Sequence, residues 1–269
     1  MSGVRDACRV VPGEKAKLGE RATDDRLGIE KGTAQAEMTK LTDRLSVLHE
    51  RLYAEHRRSV LLVLQGLDAA GKDGTIRRVF TGLNPQGCDV ESFKAPTTTE
   101  AAHDFLWRIH NALPARGDIG IFNRSHYEDV VAAQIVGTID DRQRKRRYEY
   151  INAFEQMLSD EGTSVVKVFL HVGKEEQRAR LQARLDDPTK RWKFERGDLA
   201  TRAQWDDYVR LYDAAITATS TKWSPWYVVP ADHKWVSGVA TANVLLHVLE
   251  ELDPEIPAPA QDLDGVVIE

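Results

Sequence analysis

The chain is 269 residues long, with 42% hydrophobic and 29% charged residues, which is enough to bury the core of one large α/β domain with insertions. Its net charge of -5 argues against general nucleic-acid binding, and its two cysteines, Cys8 and Cys88, are too few for a disulfide scaffold and lack metal-ligand spacing. The absence of a signal-peptide pattern and of any run of about 18 apolar residues predicts a cytoplasmic protein without membrane contact.

The first elements along the chain are an N-terminal arm, a helix and a strand. Residues 1–37 are polar without a clear period and are predicted to form the arm. Residues 38–56 space their apolar side chains as an amphipathic helix does. The run SVLLVLQ at residues 59–65 is short, apolar and partly β-branched, which is typical of a strand buried on both faces of a parallel sheet.

Strand and helix patterns alternate along the rest of the chain. Strands are predicted at residues 88–93, 119–123, 165–172 and 226–229, and helices at residues 74–82, 99–113, 142–160, 175–186 and 203–219. This alternation, with right-handed crossovers, predicts a three-layer α/β fold with a parallel sheet flanked by helices. The domain is expected to span residues 38–252, and the proline-rich, acidic residues 253–269 are expected to form a flexible tail.

The stretch GLDAAGKDGT at residues 66–75 matches the phosphate-loop motif G-x-x-x-x-G-K and lies between a predicted strand and a predicted helix. Backbone amides of such a loop surround phosphate oxygens, the helix dipole attracts the same anion, and the side chain of Lys72 adds a positive charge. A glycine-rich turn that binds nothing is the alternative. The other loop residues expected to contact phosphate are Gly66, Ala69, Ala70, Gly71, Gly74 and Thr75.

The loop departs from the usual motif at Asp73, because a hydroxyl residue ordinarily follows the lysine. A carboxylate in the first turn of a helix interacts favourably with the helix dipole, which is one explanation of Asp73. The other explanation adds Asp68, because two carboxylates beside bound phosphate would repel it unless a cation lay between them. The sequence therefore predicts Mg²⁺ as cofactor, with Mn²⁺ as an alternative, held by Asp68 and Asp73.

A second polar motif, GIFNRSHYED, runs from the third predicted strand to Asp129. Because ligands of open parallel sheets bind beyond the carboxyl ends of the strands, Asn123 and Arg124 are expected in the site, and Arg124 can neutralise charge on a transferring phosphoryl group. Glu128 and Asp129 add acids, although a solvated helix start explains Asp129 equally well. His126 is interpreted as an orienting or packing residue.

Basic residues are concentrated in two later segments. The run RQRKRR at residues 142–147 is, taken alone, typical of a solvated helix face. Residues 190–198 interleave cations with aromatic side chains after the fourth predicted strand, which fits a mobile lid over phosphates. Arg180 and Arg184 lie four residues apart and hence on one helix face. The lid is predicted at about residues 175–220.

Six motifs, in order, make the chain resemble the polyphosphate kinase 2 family. They are GLDAAGKDGT, FKAPT, FNRSHYEDV, DDPTKRWKFERGDL, RAQWDDY and TKWSPWYVVPADHKW, and the likeness runs from about residue 40 to residue 251. The resemblance implies a phosphate-loop kinase fold similar to that of thymidylate kinase, with a helical lid. It also implies reversible, Mg²⁺-dependent transfer of the terminal phosphoryl group of inorganic polyphosphate to AMP, ADP or guanine nucleotides, and a homodimer or homotetramer.

The resemblance also implies roles for individual residues. The implied catalytic residues are Asp68, Lys72, Asp73, Asn123, Arg124 and Glu128. The segment SHYED looks like that of the class III members, which accept nucleoside monophosphates as well as diphosphates, and implies that Glu128 selects the acceptor. The resemblance further implies Arg184 and Lys234 as contacts of polyphosphate and Asp198 as a lid residue. Independently of the resemblance, the basic segments lead us to expect Lys94, Arg144 and Lys145 along polyphosphate, and Lys193 and Phe194 at the lid or the acceptor nucleotide.

The phosphate-loop motif is also compatible with two other functions. An ATP-dependent nucleoside monophosphate kinase would share the fold and the phosphate loop, and would differ in its phosphoryl donor. A phosphate-loop switch protein, which binds a nucleotide without metabolic turnover, would be expected to carry a guanine-reading N-K-x-D segment. The chain has no such segment.

Overall fold

The centre of the molecule is a parallel sheet of five strands, in a computed structural model that describes residues 2–259, 261 and 266–268. The strands are β1 (Ser59–Gln65), β2 (Cys88–Ser92), β3 (Ile119–Asn123), β4 (Thr163–His171) and β5 (Trp226–Pro230). They lie in the order β2-β3-β1-β4-β5. Strand β1 is buried along its whole length because it occupies the middle of the sheet and helices cover both faces.

Helices cover the two faces of the sheet. The described residues contain α1 (Ser2–Cys8), α2 (Ala34–Glu55), α3 (Lys72–Phe80), α4 (Thr98–Ala101), α5 (Trp107–Asn111), α6 (Ala132–Val136), α7 (Asp141–Asp160), α8 (Lys174–Asp186), α9 (Gly197–Ala203), α10 (Trp205–Thr219) and α11 (Lys234–Leu252). The crossovers from β1 to β2 and from β3 to β4 run in opposite directions along the sheet, so right-handed connections place α3 and α7 on opposite faces. Helices α2 and α11 pack with α3, and α10 packs with α7. None of the helices in the described part of the chain combines the length and apolar character needed to cross a bilayer.

The predicted alternation of strands and helices is confirmed. One predicted helix needs correction, and one long helix is not predicted. The predicted continuous helix at residues 99–113 is broken into α4 and α5, because Asp104 Oδ1 accepts a hydrogen bond from Leu106 N at 2.9 Å between them. Helix α11 is not among the predicted helices. It is buried on nearly all sides, so its sequence shows no apolar-polar period, and its glycine and β-branched residues have low helix propensity.

The predicted N-terminal arm lies against the domain. Val10 N donates a hydrogen bond to Trp226 O at 2.8 Å, so the arm runs beside the edge strand β5. Cys8, Val10 and Leu18 are buried there. These apolar residues are too sparse to produce a period in the sequence, yet they are sufficient to cover an otherwise open sheet edge.

The predicted tail is described in part. Helix α11 ends at Leu252, and Asp253 follows it with a left-handed backbone (φ 44°). Residues 253–259, 261 and 266–268 form no helix or strand, and the remaining tail residues lie outside the described part of the chain.

Candidate active site

A cavity of about 920 Å³, here called the edge cavity, lies at the carboxyl edge of the sheet. Strands β1 and β3 are neighbours in the sheet, with Leu64 opposite Asn123, and this register brings the two polar motifs together. The cavity lies where the sequence predicts a site, because both motifs follow directly after strands. The predicted site residues that line it are Asp68, Ala69, Gly71, Lys72, Asp73, Gly74, Lys94, Asn123, Arg124, Arg184, Lys193, Asp198 and Lys234.

Two glycines permit the sharp turn of the phosphate loop between β1 and α3. Gly66 passes so close to β4 that a Cβ atom there would lie 2.8 Å from Leu170 O. Gly71 has a φ of 108°, in the left-handed region that favours glycine. Ala69 also has a positive φ, of 62°, and such strain persists only where neighbouring contacts fix the backbone.

Helix α8 supplies those contacts through Gln177 and Arg180, neither of which is among the predicted site residues. The Arg180 guanidinium donates to Ala69 O at 3.0 Å and to Ala70 O at 2.9 Å, and it also contacts two carbonyls of the loop after β5. Gln177 Nε2 donates to Asp68 O at 3.0 Å. The sequence spacing places Arg180 and Arg184 on one helix face, and both line the edge cavity, but only the packing of α8 shows that Arg180 also fixes the loop.

The side chain of Lys72 lies inside the phosphate loop. Its ammonium donates to Gly66 O at 2.6 Å and to Leu67 O at 3.3 Å. Burial, followed by the nearby Arg124 guanidinium, lowers the pKa of Lys72 to about 8. A lysine at this position, the first residue of the helix, is suited to contact the terminal phosphates of a ligand in the loop.

The carboxylates of Asp68 and Asp73 both face the edge cavity, and each pairs with a residue of the second motif. Asp68 Oδ1 accepts from the Arg124 guanidinium at 2.7 Å, and Asp73 Oδ1 accepts from Asn123 Nδ2 at 2.8 Å. The ammonium of Lys193, from the lid, lies 3.8 Å from Asp73 Oδ2. The two motifs are therefore joined by charge-assisted contacts across the cavity.

This donor set fits Mg²⁺ better than a metal held by protein alone. Among the described residues, no group of three or more His, Cys, Asp or Glu side chains is arranged to hold a metal ion. Mg²⁺ characteristically binds one or two carboxylates and completes its shell with water and substrate phosphates. Asp68 and Asp73, beside a phosphate loop, supply that pair of hard oxygen ligands.

Arg124 has a left-handed backbone, with a φ of 64°, which directs its side chain from the end of β3 toward Asp68. Its amide donates to Leu64 O at 3.0 Å, so the turn continues the pairing of β3 with β1. Glu128 lies close by and accepts from the Tyr212 hydroxyl at 3.3 Å. Burial raises the pKa of Glu128, and the positive charges of Arg124 and Lys72 oppose that shift. Glu128 is partly buried beside the cavity and does not line it.

The segment that covers the edge cavity is shorter than the predicted lid of about 175–220. Helix α8 fixes the phosphate loop, and α10 carries Leu211, Ala215 and Ile216 into the core. Residues 187–204, between these two helices, contain the lid residues Lys193 and Asp198 of the cavity wall. Residues 187–204 are therefore the lid of the edge cavity.

Arg144 and Lys145 do not line the edge cavity, and their contact with polyphosphate stays a prediction. Arg144 is buried, donates to Asp141 Oδ1 at 2.6 Å and lies over the ring of Tyr148. The Lys145 ammonium lies 3.5 Å from Asp141 Oδ2. Both cations thus pair with Asp141 in the first turns of α7. The run of basic residues in the sequence does not show which way each side chain points. The other predicted residues that do not line the cavity are Glu128, Gly66, Ala70, Thr75 and Phe194.

Comparisons with a family model and with known proteins all indicate the same family. The family model described as Polyphosphate kinase 2 matches residues 28–257. A protein of Meiothermus ruber named AMP/ADP-polyphosphate phosphotransferase is 47% identical over 263 residues, which cover 97% of this chain and 98% of that protein. An ADP-polyphosphate phosphotransferase of Rhodopseudomonas palustris is 44% identical, with 93% of this chain and 91% of the relative covered.

A solved structure shows the same architecture. The crystal structure of polyphosphate kinase 2 from Arthrobacter aurescens superposes with a TM-score of 0.93 at 42% identity, covering 97% of this chain and 94% of that one. With its phosphate loop, paired carboxylates and matching fold, the chain belongs to the polyphosphate kinase 2 family.

Proposed function

We propose that the protein transfers the terminal phosphoryl group of inorganic polyphosphate to a nucleoside monophosphate or diphosphate, with AMP and ADP as acceptors. The observation that carries the proposal is the edge cavity itself. It combines a phosphate loop and the carboxylates of Asp68 and Asp73 with cations from five separate segments: Lys94, Arg124, Arg184, Lys190, Lys193 and Lys234. That excess of positive charge suits a polyanionic donor together with an anionic acceptor.

The residues of the chain suit phosphoryl transfer by positioning and charge neutralisation. The loop amides and Lys72 would hold the terminal phosphoryl group, and Arg124 would stabilise the charge that develops on it. A bond forms between an acceptor phosphate oxygen and the terminal phosphorus, while the bond to the bridging oxygen breaks and the shortened chain leaves with its electrons. Because the second pKa of a phosphate monoester is about 6, the acceptor is already mostly ionised near neutral pH and needs no strong general base.

Asp68 and Asp73 are the residues that would hold Mg²⁺. When bound, this ion neutralises part of the phosphate charge. A metal role explains both carboxylates, that of Asp73 directly after Lys72 and that of Asp68. Stabilisation by the helix dipole explains only Asp73, because only Asp73 lies in the first turn of the helix. A homodimeric or homotetrameric assembly, a cytoplasmic location, guanine nucleotides as further acceptors and the use of Mn²⁺ stay predictions.

Glu128 is the proposed acceptor-selecting residue. It is partly buried next to Arg124 and Lys72, so it can influence which phosphate groups approach the loop from that side. The relative from Meiothermus ruber is named for both AMP and ADP, whereas that from Rhodopseudomonas palustris is named for ADP. We propose the wider range for this chain.

A donor comparison tests the proposal. Purified protein is incubated with Mg²⁺ and AMP, with either long-chain polyphosphate or ATP as donor, and the initial rates of nucleotide formation are measured by chromatography. Formation of ADP and then ATP from AMP with polyphosphate supports both the donor and the acceptor range. Lys72→Met should abolish this product, and Lys222→Met, at an exposed lysine that does not line the edge cavity, should not.

The alternative is an ATP-dependent nucleoside monophosphate kinase. It predicts ADP formation from AMP with ATP as donor and no product with polyphosphate, and that result would overturn the proposal. Product from ADP but not from AMP would retain the polyphosphate donor and remove the proposed monophosphate acceptor.

A further inference from the structure

Four polar side chains form a sealed network directly behind the turn that presents Arg124. They are His126, Tyr127, Glu155 and Lys167, here called the buried tetrad. Each of the four side chains is 0–1% exposed, so none of them can touch a substrate in the edge cavity.

The tetrad is fully connected around one carboxylate. Glu155 Oε1 accepts from the Tyr127 hydroxyl at 2.9 Å and lies 3.2 Å from His126 Nε2, while Glu155 Oε2 accepts from the Lys167 ammonium at 2.5 Å. Lys167 also donates to the Tyr127 hydroxyl at 3.1 Å and to Thr219 O at 2.6 Å. Burial would raise the pKa of Glu155, but Lys167 and His126 outweigh it, so the pKa lies below its usual value and the carboxylate is ionised.

These contacts tie one short turn to three elements of the fold. Glu155 belongs to α7, Lys167 to β4, and Thr219 to the end of α10, whereas His126 and Tyr127 follow Arg124 by two and three residues. The turn is therefore anchored on the side away from the cavity. On the cavity side, it presents Arg124 and Glu128.

Stability alone is a weak explanation for such a group. Replacing a buried ion pair by packed apolar side chains often leaves stability unchanged or increases it, because removing two charges from water is costly. Arg124, in contrast, has a left-handed backbone, and strain of this kind persists only where the surroundings fix it. The tetrad lies where such fixation is needed.

We propose that the buried tetrad is a positioning device, which fixes the strained turn so that the Arg124 guanidinium faces Asp68 and the phosphate loop. Its residues act through Arg124 and are positioning residues, not catalytic ones. The inference rests on the proposed phosphoryl transfer only in requiring that Arg124 acts in turnover.

The test compares two buried tyrosines that each lose one hydroxyl. Tyr127→Phe removes a tetrad member while keeping the ring that packs at 4.7 Å from the ring of Trp226. Tyr148→Phe is the matched control, because Tyr148 is also buried and its hydroxyl makes no hydrogen bond to a described residue. We expect Tyr127→Phe to lower kcat at least fivefold, with the KM values for both substrates within twofold of wild type, and Tyr148→Phe to leave kcat unchanged.

A double-mutant cycle with Arg124→Lys separates positioning from a general structural role. If Tyr127 acts through Arg124, Tyr127→Phe should cause less than a twofold further loss of kcat in the Arg124→Lys background. Full, additive losses would overturn the inference, as would a Tyr127→Phe protein with a lower Tm but wild-type kcat at a temperature well below that Tm.

His126→Asn provides a second, independent variant should Tyr127→Phe not fold, and the same loss of kcat is expected from it. The assay uses whichever donor the wild-type protein accepts. Failure of polyphosphate as donor would therefore count against the proposed function alone, whereas a wild-type kcat in both tetrad variants would count against the positioning role alone.

Discussion

At the scale of single residues, charged groups of the candidate site contact other polar groups of the protein. Arg124 contacts Asp68, Asn123 contacts Asp73, and Lys72 contacts the carbonyl of Gly66. Phosphate or a metal ion would compete for the same charged atoms. The contacts therefore keep the side chains close to the places where they would meet a ligand, at little cost in reorganisation.

The lowered pKa of Lys72 predicts a pH dependence for the capture of polyphosphate. An amine is charged below its pKa, so Lys72 in the free protein loses its charge as the pH rises through about 8. We expect kcat/KM for polyphosphate to fall by about tenfold per pH unit above that value. The kcat profile should lack this limb, because bound phosphate stabilises the ammonium. A kcat/KM that stays level up to pH about 10, near the ordinary value for lysine, would contradict the assignment of Lys72.

The metal role of Asp73 can be separated from its interaction with the helix dipole. Asp73 and Asp206 are both exposed and both lie in the first turn of a helix, but only Asp73 lines the edge cavity. We expect Asp73→Asn to raise the Mg²⁺ concentration for half-maximal activity by about tenfold or more, because it removes an oxygen ligand. Asp206→Asn should leave that concentration unchanged, and a Mg²⁺ titration of both variants checks it. Equal behaviour of the two would leave only the dipole explanation.

At the scale of elements, the phosphate loop depends on a helix that lies more than a hundred residues further along the chain. Arg180 of α8 joins the carbonyls of the loop to those of the segment after β5. Its side chain is almost fully buried, so its hydrogen bonds have no competing water. Helix α8 is for this reason part of the site, although most of its surface is exposed.

Arg180→Lys should weaken the loop without removing a charge. A lysine cannot reproduce the fork of donors that reaches several carbonyls at once, so we expect the free energy of unfolding to fall by about 2 kcal/mol. The KM for polyphosphate should rise as the loop loosens. Arg178→Lys, at an exposed arginine of the same helix, is the control and should match wild type in chemical denaturation and in kinetics. An unchanged KM in Arg180→Lys would show that the loop keeps its shape without this contact.

The sequence predicts those elements well whose pattern depends on local chemistry. Strand β1 is predicted because it is apolar throughout, and the phosphate loop because its glycines stand between a strand and a helix. Helix α11 is not predicted, because burial on nearly all sides removes the apolar-polar period that marks an amphipathic helix in a sequence. The inward turn of Arg144 toward Asp141 and Tyr148 escapes it because the direction of a side chain depends on packing between distant elements.

At the scale of the whole molecule, a rigid sheet carries the loop while a less embedded segment covers it. The core reaches into α10 through Leu211 and Ile216, but the lid, residues 187–204, contributes no buried side chain and exposes Trp192 to 76%. Segments with few buried contacts open most readily. The lid is therefore the part of the molecule suited to close over a bound polyanion.

Closure of the lid predicts a local change in hydrogen exchange. With Mg²⁺ and polyphosphate, backbone amides of residues 187–204 should exchange more slowly, because Lys190 and Lys193 gain phosphate partners in the cavity wall. Amides of α10 near Leu211 should be slow in both states and serve as the internal control. Equal exchange of the lid with and without polyphosphate would contradict closure.

The edge cavity is built from segments that lie far apart in the sequence, so its formation depends on the fold of the whole chain. The sequence predicts that residues of the loop, the second motif and the lid meet, because parallel strands end at one edge, and thirteen of the predicted residues do line one cavity. The contribution of Arg180 and the seclusion of the buried tetrad follow only from how α7, α8 and β4 pack.

The most direct test of phosphoryl transfer from polyphosphate follows the phosphorus atom itself. The protein is mixed in excess with polyphosphate carrying a labelled terminal phosphoryl group, AMP, Mg²⁺ and an excess of unlabelled inorganic phosphate, and the reaction is quenched within a single turnover. Direct transfer from polyphosphate predicts labelled ADP at undiluted specific activity, with the label in its β-phosphate. Absence of labelled ADP, from a protein that converts AMP to ADP when ATP is supplied instead, would contradict it.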